Sequence, residues 1–189
     1  MEKITIDCII GIDPGKSGGL AIWRPNYKTE VLKMPSNILD LRQYFEYIAS
    51  ICNPLIFLEK VQLRPDDIKD NPGKAFRIQR MLADFETLKT VISVCDIPFV
   101  LVNPMKWQNT LKVRVKGEER KDRKKRFQRA AIDCYPDVKV TLWNCDALLL
   151  LHFGRFVLQN NFEWVLQNLP NQIHYKIFDA KKIVKSFGN

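Results

Sequence analysis

Histidine is nearly absent from this chain: its 189 residues contain two, His152 and His174. Cysteine offers little compensation. The five cysteines, Cys8, Cys52, Cys95, Cys134 and Cys145, contain no Cys-x-x-Cys pair. Structural zinc needs closely spaced Cys or His ligands, and Cys-His or Ser-His-Asp catalysis needs a histidine base, so both classes have little to work with. An odd number of thiols, each in or beside an apolar segment, reads as reduced core residues. Long apolar runs are missing too, and none approaches the roughly 20 residues of a membrane-spanning helix. No signal peptide is expected from Met1-Glu2-Lys3, which has neither its charged nor its apolar region. The expectation is a soluble intracellular protein with no membrane partner.

What is present is enough for a sizeable core: 46% hydrophobic residues, 11 Phe and 4 Trp. That is too apolar for a disordered chain. Alternating and continuous β-formers predict strands over residues 4–13, 18–24 and 28–34, joined by short turns. Ser36 or Asn37 is placed to cap a helix whose buried face is Ile38, Leu41, Tyr44, Phe45 and Ile48. Leu55-Ile56-Phe57-Leu58 predicts a buried strand ending at Glu59. Residues 62–73 read as an exposed loop, and 74–95 as a long helix with Phe76, Met81, Leu82, Phe85, Leu88 and Ile92 inward. Pro98–Val102 predicts another strand, and 104–111 a short helix. Helices over 119–134 and 144–158 follow. The order, written β-β-β-α-β-α-β-α-α, implies an α/β fold: a mixed sheet with helices on both faces. Residues 1–160 are expected to form the domain and 161–189 a C-terminal extension, docked or partly flexible.

Charge is unevenly placed. Residues 112–129 hold ten basic and three acidic side chains, a net +7 out of +9 for the whole chain. Such a block is the electrostatic footprint of a polyanion-binding surface, with nucleic acid the leading partner. A solvated helix face or a localisation tag is the plainer alternative.

Three acids stand where a purely structural protein has least use for them. Asp13 ends the first strand, inside Ile-Ile-Gly-Ile-Asp-Pro-Gly-Lys-Ser-Gly-Gly (9–19). Glu59 ends the fourth strand, and Asp146 opens an apolar helix. Each has a bland reading, as a turn Asp bonding backbone amides, a solvated strand end or a good first-turn residue. If the first and fourth strands are parallel neighbours and the last helix crosses their end, the three meet. Clustered carboxylates repel, so their coexistence calls for a cation, and hard oxygen donors favour Mg²⁺ or Mn²⁺. Two such ions about 4 Å apart activate water and stabilise the leaving oxygen in phosphodiester cleavage. Asn144 is a candidate cap for the helix bearing Asp146.

Ile-Gly-Ile-Asp-Pro-Gly-Lys-Ser-Gly-Gly (10–19), Leu-Glu-Lys-Val (58–61) and Cys-Asp-Ala-Leu-Leu-Leu (145–150) together resemble the RuvC-type Holliday-junction resolvases of the RNase H-like superfamily, in their compact phage and bacterial branch. Phe76 with Arg80, Val102-Asn103-Pro104 with Trp107, and Tyr135-Pro136-Asp137 extend the likeness over residues 5–158. The resemblance implies an RNase H-like five-stranded sheet and a homodimer. It further implies paired symmetric nicks in a four-way DNA junction, with Mg²⁺ and two ions per site. Asp13, Glu59 and Asp146 would be the metal ligands, no nucleotide cofactor would be needed, and the setting would be the cytoplasm of a bacterial or phage-infected cell, or an organelle. Lys16, Lys60, Arg80, Lys106, Lys112, Arg114, Lys116, Lys121 and Lys124 would contact DNA, one lysine of the basic segment instead steadying transition-state charge.

One departure matters: Trp143 stands where the family usually has a fourth acidic or histidine ligand, three residues before the helix Asp. His152 lies about 240° around the helix from Asp146 and should not share its face. The alternative is therefore a catalytically weak branched-DNA-binding protein with a degenerate site. An actin-like ATPase also uses an Asp-x-Gly turn, but it requires a second phosphate loop, an adenosine motif and a longer chain.

Overall fold

The isoleucine-rich run ahead of Asp13 forms β1 (Cys8–Asp13) in the computed structural model, which describes residues 6–61 and 72–169. The glycine turn sends the chain back antiparallel as β2 (Gly19–Trp23), and β3 (Glu30–Lys33) completes the meander. Next come α1 (Ile38–Ile51), β4 (Pro54–Glu59), α2 (Pro72–Val94) and β5 (Phe99–Val102). Four helices close the described chain: α3 (Pro104–Thr110), α4 (Arg120–Cys134), α5 (Cys145–Asn160) and α6 (Phe162–Asn168). The sequence predicts three helices after β5, over 104–111, 119–134 and 144–158; the structure adds a fourth, α6.

The sheet order is β3-β2-β1-β4-β5, with β4 parallel to both β1 and β5. Burial on both faces explains why β1 and β4 read as continuous apolar runs. Cys8, Ile10 and Ile12 of β1 pack with Leu41, Phe45 and Ile48 of α1 and with Phe85, Leu88 and Ile92 of α2. Ile9 and Phe57 face the other way, into a core built by α5 with Trp107, Phe127 and Val165. Asn37 caps α1 as its position suggested, its Oδ1 accepting from Leu39 N at 2.9 Å. Asn103 does the same for α3, accepting from Met105 N at 2.8 Å ahead of Pro104.

Gly11 decides how closely α5 can lie on the sheet. A Cβ there would stand 2.3 Å from both the Ala147 carbonyl oxygen and the Leu151 nitrogen, well inside contact distance. Backbone therefore meets backbone at this crossing.

Several details differ from the sequence reading. Phe76 and Met81 are exposed, at 67% and 39%, because only the C-terminal half of α2 reaches the sheet. Cys134 is exposed, not a core thiol, while Cys8 and Cys145 are buried. Helix α2 begins at Pro72, and the remaining residues of the predicted loop, 62–71, lie outside the described residues. So do residues 4 and 5 of the first predicted strand. Beyond α5, Val165 and Leu169 are buried in the core, with Phe162, Trp164 and Leu166 packed against it. Residues 170–189 lie outside the described set.

Candidate active site

Side-chain alternation aims two acids at the same helix. Asp13 shares the sheet face of Ile9 and Gly11, and Glu59 that of Leu55 and Phe57, the face covered by α5. The parallel register pairs Ile12 with Leu58, so Asp13 and Glu59 occupy the next positions on adjacent strands, about 5 Å apart in backbone. Asp146 lies in the first turn of α5 and is buried. The Pro14–Gly18 turn clears the space beside Asp13. Gly15 takes φ +137°, a conformation costly for any residue with a Cβ, and its carbonyl accepts from Gly18 N at 3.0 Å.

The electrostatics show that the three acids act on one another. Burial and the neighbouring Asp146 raise the Asp13 carboxyl to about 7, opposed by Lys124. Burial, with Asp13 and Asp146, raises Glu59 to about 8. The opposing influences on Glu59 are a hydrogen bond from Trp107 and the charge of Lys124. The Lys124 ammonium bonds Asp146 Oδ2 at 2.6 Å. Burial disfavours that charge, but Asp146, through attraction and its hydrogen bond, and then Asp13, push the Lys124 pKa up overall.

Trp107 is fully buried on α3, and its Nε1 donates to Glu59 Oε1 at 3.0 Å. Sequence reasoning noticed this residue only through its resemblance; the available signal was that a buried indole needs an acceptor. Its ring packs on Phe127 of α4, at 5.1 Å between centroids. The Cys145 thiol donates to Asp146 Oδ1 at 3.2 Å, and burial and Asp146 raise it to about 12. Asp146 thus has one oxygen on an ammonium and the other on a neutral thiol.

Asn144 precedes α5 but its side chain does not cap that helix. Its Oδ1 accepts from Thr141 N at 2.7 Å and its Nδ2 donates to the Lys139 carbonyl at 3.1 Å, fastening the loop before α5. Trp143 is half-buried, its ring over Gly19 where a Cβ would come within 2.7 Å, and Lys33 Nζ lies 5.8 Å from the ring centroid. It therefore fills space beside the Asp13 turn with carbon. His152 meets Tyr135 edge-on, 6.1 Å between centroids.

Of the predicted DNA-contacting residues, Lys124 is the one the structure bonds to the acids. Lys16 is exposed on the turn after Asp13, and Lys60 directly follows Glu59 with its side chain exposed. Lys106 is exposed on α3, with its Nζ 5.5 Å from the Trp164 ring centroid. Lys112, Arg114 and Lys116 are exposed between α3 and α4, and Lys121 is exposed on α4. Arg80 is exposed on the N-terminal half of α2. Two concavities, of about 570 and 390 Å³, are lined by neither Asp13, Glu59 nor Asp146.

Among the described residues, no three His, Cys, Asp or Glu side chains stand together closely enough to hold a metal ion. In kind the donor set fits a hard divalent cation: it offers carboxylate oxygens, and burial and like charge favour an added positive charge.

The five-stranded mixed sheet with helices on both faces is an RNase H-like fold of the RuvC kind. The RuvC structure from Thermus thermophilus superposes with a TM-score of 0.51 at 12% identity, covering 86% of this chain and 98% of that one. T. thermophilus RuvC in complex with a Holliday junction substrate superposes at 0.49 with 13% identity, covering 80% and 94%. No family model matches the sequence, and no curated protein matches it. At these identities the likeness is one of fold.

Proposed function

We propose that this protein is a structure-selective endonuclease that resolves four-way DNA junctions as a homodimer, by Mg²⁺-dependent phosphodiester hydrolysis with two ions per site. The observation that carries the reading is that Asp13, Glu59 and Asp146 influence one another electrostatically at one end of the sheet, with Lys124 of the basic helix α4 bonded to Asp146. Asp13, Glu59 and Asp146 would hold the ions, Asp13 as the bridging ligand. Ions bound there supply an activated water and charge stabilisation at the leaving oxygen.

The chain's own groups prepare that site. Trp107 fixes the orientation of Glu59 through its indole hydrogen bond. Raised carboxyl pKa values mark Asp13 and Glu59 as short of positive charge, so they favour cations over serving as isolated anions. Lys112, Arg114, Lys116 and Lys121 are free in solvent to meet phosphates, conferring affinity for backbone shape more than for base sequence. Lys16, Lys60, Arg80 and Lys106 serve as further phosphate contacts in this reading. Two such sites about a two-fold axis match the symmetry of a four-way junction.

The test is cleavage of a synthetic four-way junction in Mg²⁺. The wild type should nick opposing strands, and Asp13→Asn should lose more than about a hundredfold in rate, beyond the cost of removing a supporting group. Tight junction binding by the wild type without metal-dependent nicking would establish the second reading, a weakly catalytic junction binder. That reading is favoured by Trp143, which puts an indole where the resemblance expects a fourth ligand.

A further inference from the structure

We propose that Lys124 is the resident counter-ion of the acidic site, and that DNA phosphates draw its ammonium off Asp146 so that divalent cation binding becomes coupled to DNA binding. This deepens the nuclease reading and rests on it, naming how the same site is regulated. The ammonium stands 2.6 Å from Asp146 Oδ2, where an arriving cation must compete with it for that oxygen. One lysine faces three mutually repelling carboxylates, so without a further cation the site remains under-neutralised.

A purely structural role for the pair is poorly motivated. Helix α4 is already anchored against α5 by Phe127 and Ala131, both buried in the core. The remaining basic residues explain what moves the lysine. Arg120, Lys121, Arg123 and Lys125 are exposed on the same helix, so a polyanion docking there comes within a turn of Lys124. A lysine is a point charge on a flexible four-carbon stem, suited to exchanging one anionic partner for another; a guanidinium fork would hold the carboxylate more firmly. Free protein is thereby kept from loading its site fully, and a loaded site is reserved for bound DNA. Linkage makes the effect reciprocal: the factor by which DNA strengthens cation binding is the factor by which the cation strengthens DNA binding.

The experiment is titration of the full chain with Mn²⁺, following free Mn²⁺ by electron paramagnetic resonance, with and without a four-way junction. Wild-type affinity should rise about tenfold or more when DNA is present. Lys124→Met should bind Mn²⁺ about tenfold more tightly than wild type without DNA, and the DNA-dependent gain should shrink. Lys124→Arg, which keeps the charge in a bidentate form, should bind Mn²⁺ more weakly than wild type without DNA. Thermal unfolding of each variant establishes that the comparison is between folded proteins. If Lys124→Met gains no affinity while the wild type still nicks junctions, the counter-ion role is overturned and the nuclease reading stands. If that gain is observed in a protein whose wild type never nicks DNA, the nuclease reading fails and the counter-ion role survives.

Discussion

Asp13 and Glu59 carry charge where the fold least wants it. Their ordinary values of 3.8 and 4.5 rise to about 7 and about 8 in the folded protein. For an acid shifted upward, the folded state holds its proton more tightly than the unfolded chain does. Stability is therefore full below about pH 4, falls as pH rises, and is lowest once the folded value is passed near pH 8. In a chelator, Asp13→Asn should melt on the order of 5 °C above wild type at pH 8, with the gap closing toward pH 4. Superimposable melting curves across that range would show that the acids do not repel as described. Single residues were unevenly legible in the sequence. Asp13, Glu59 and Asp146 stood out because an acid ending an apolar strand or opening an apolar helix is visible locally. Trp107 stands out only through the resemblance and Lys124 only as one basic residue among several, because their partners lie 48 and 22 residues away and no local rule pairs them.

At the scale of elements, the crossing of α5 over β1 is the arrangement on which the acidic cluster depends. Gly11→Ala places a methyl 2.3 Å from the backbone of Ala147 and Leu151, neither of which can move as a side chain would. The substitution should cost about 1–3 kcal/mol, read as a lowered denaturant midpoint at unchanged slope. An unchanged midpoint would mean that α5 shifts without penalty. The elements themselves were largely readable, since β1 and β4 are continuous apolar runs, α1 follows a helical period and Asn37 marks its start. The burial of α2 was not. Phe76 and Met81 continue its apolar spacing past the last turn that reaches the sheet, and spacing alone does not tell where a helix outruns its support. Asn144 misled in another way: it stands at the helix start, but its amide serves the preceding loop.

Over the whole chain the charge is concentrated, since the segment 112–129 carries +7 of the net +9. DNA affinity should then depend steeply on salt. The combined change Lys121→Gln, Arg123→Gln and Lys125→Gln should flatten the slope of log affinity against log salt by about 3, close to 0.9 for each phosphate no longer neutralised. An unaltered slope would place the DNA surface elsewhere. Charge distribution was fully legible in the sequence because it needs no folding to count, whereas its placement beside the acids needed the packing of α4 on α5.

The backbone approach at Gly11 has a consequence for the proposed cation site. At Gly11 no side chain stands between α5 and β1, so the strand that ends in Asp13 and the helix that carries Asp146 meet there without a compressible layer. Their separation is thus gauged by main-chain atoms, not by adjustable rotamers. If the acids hold cations as proposed, discrimination between a small ion and a large one is written at a position with no functional group of its own, two residues before the first acid.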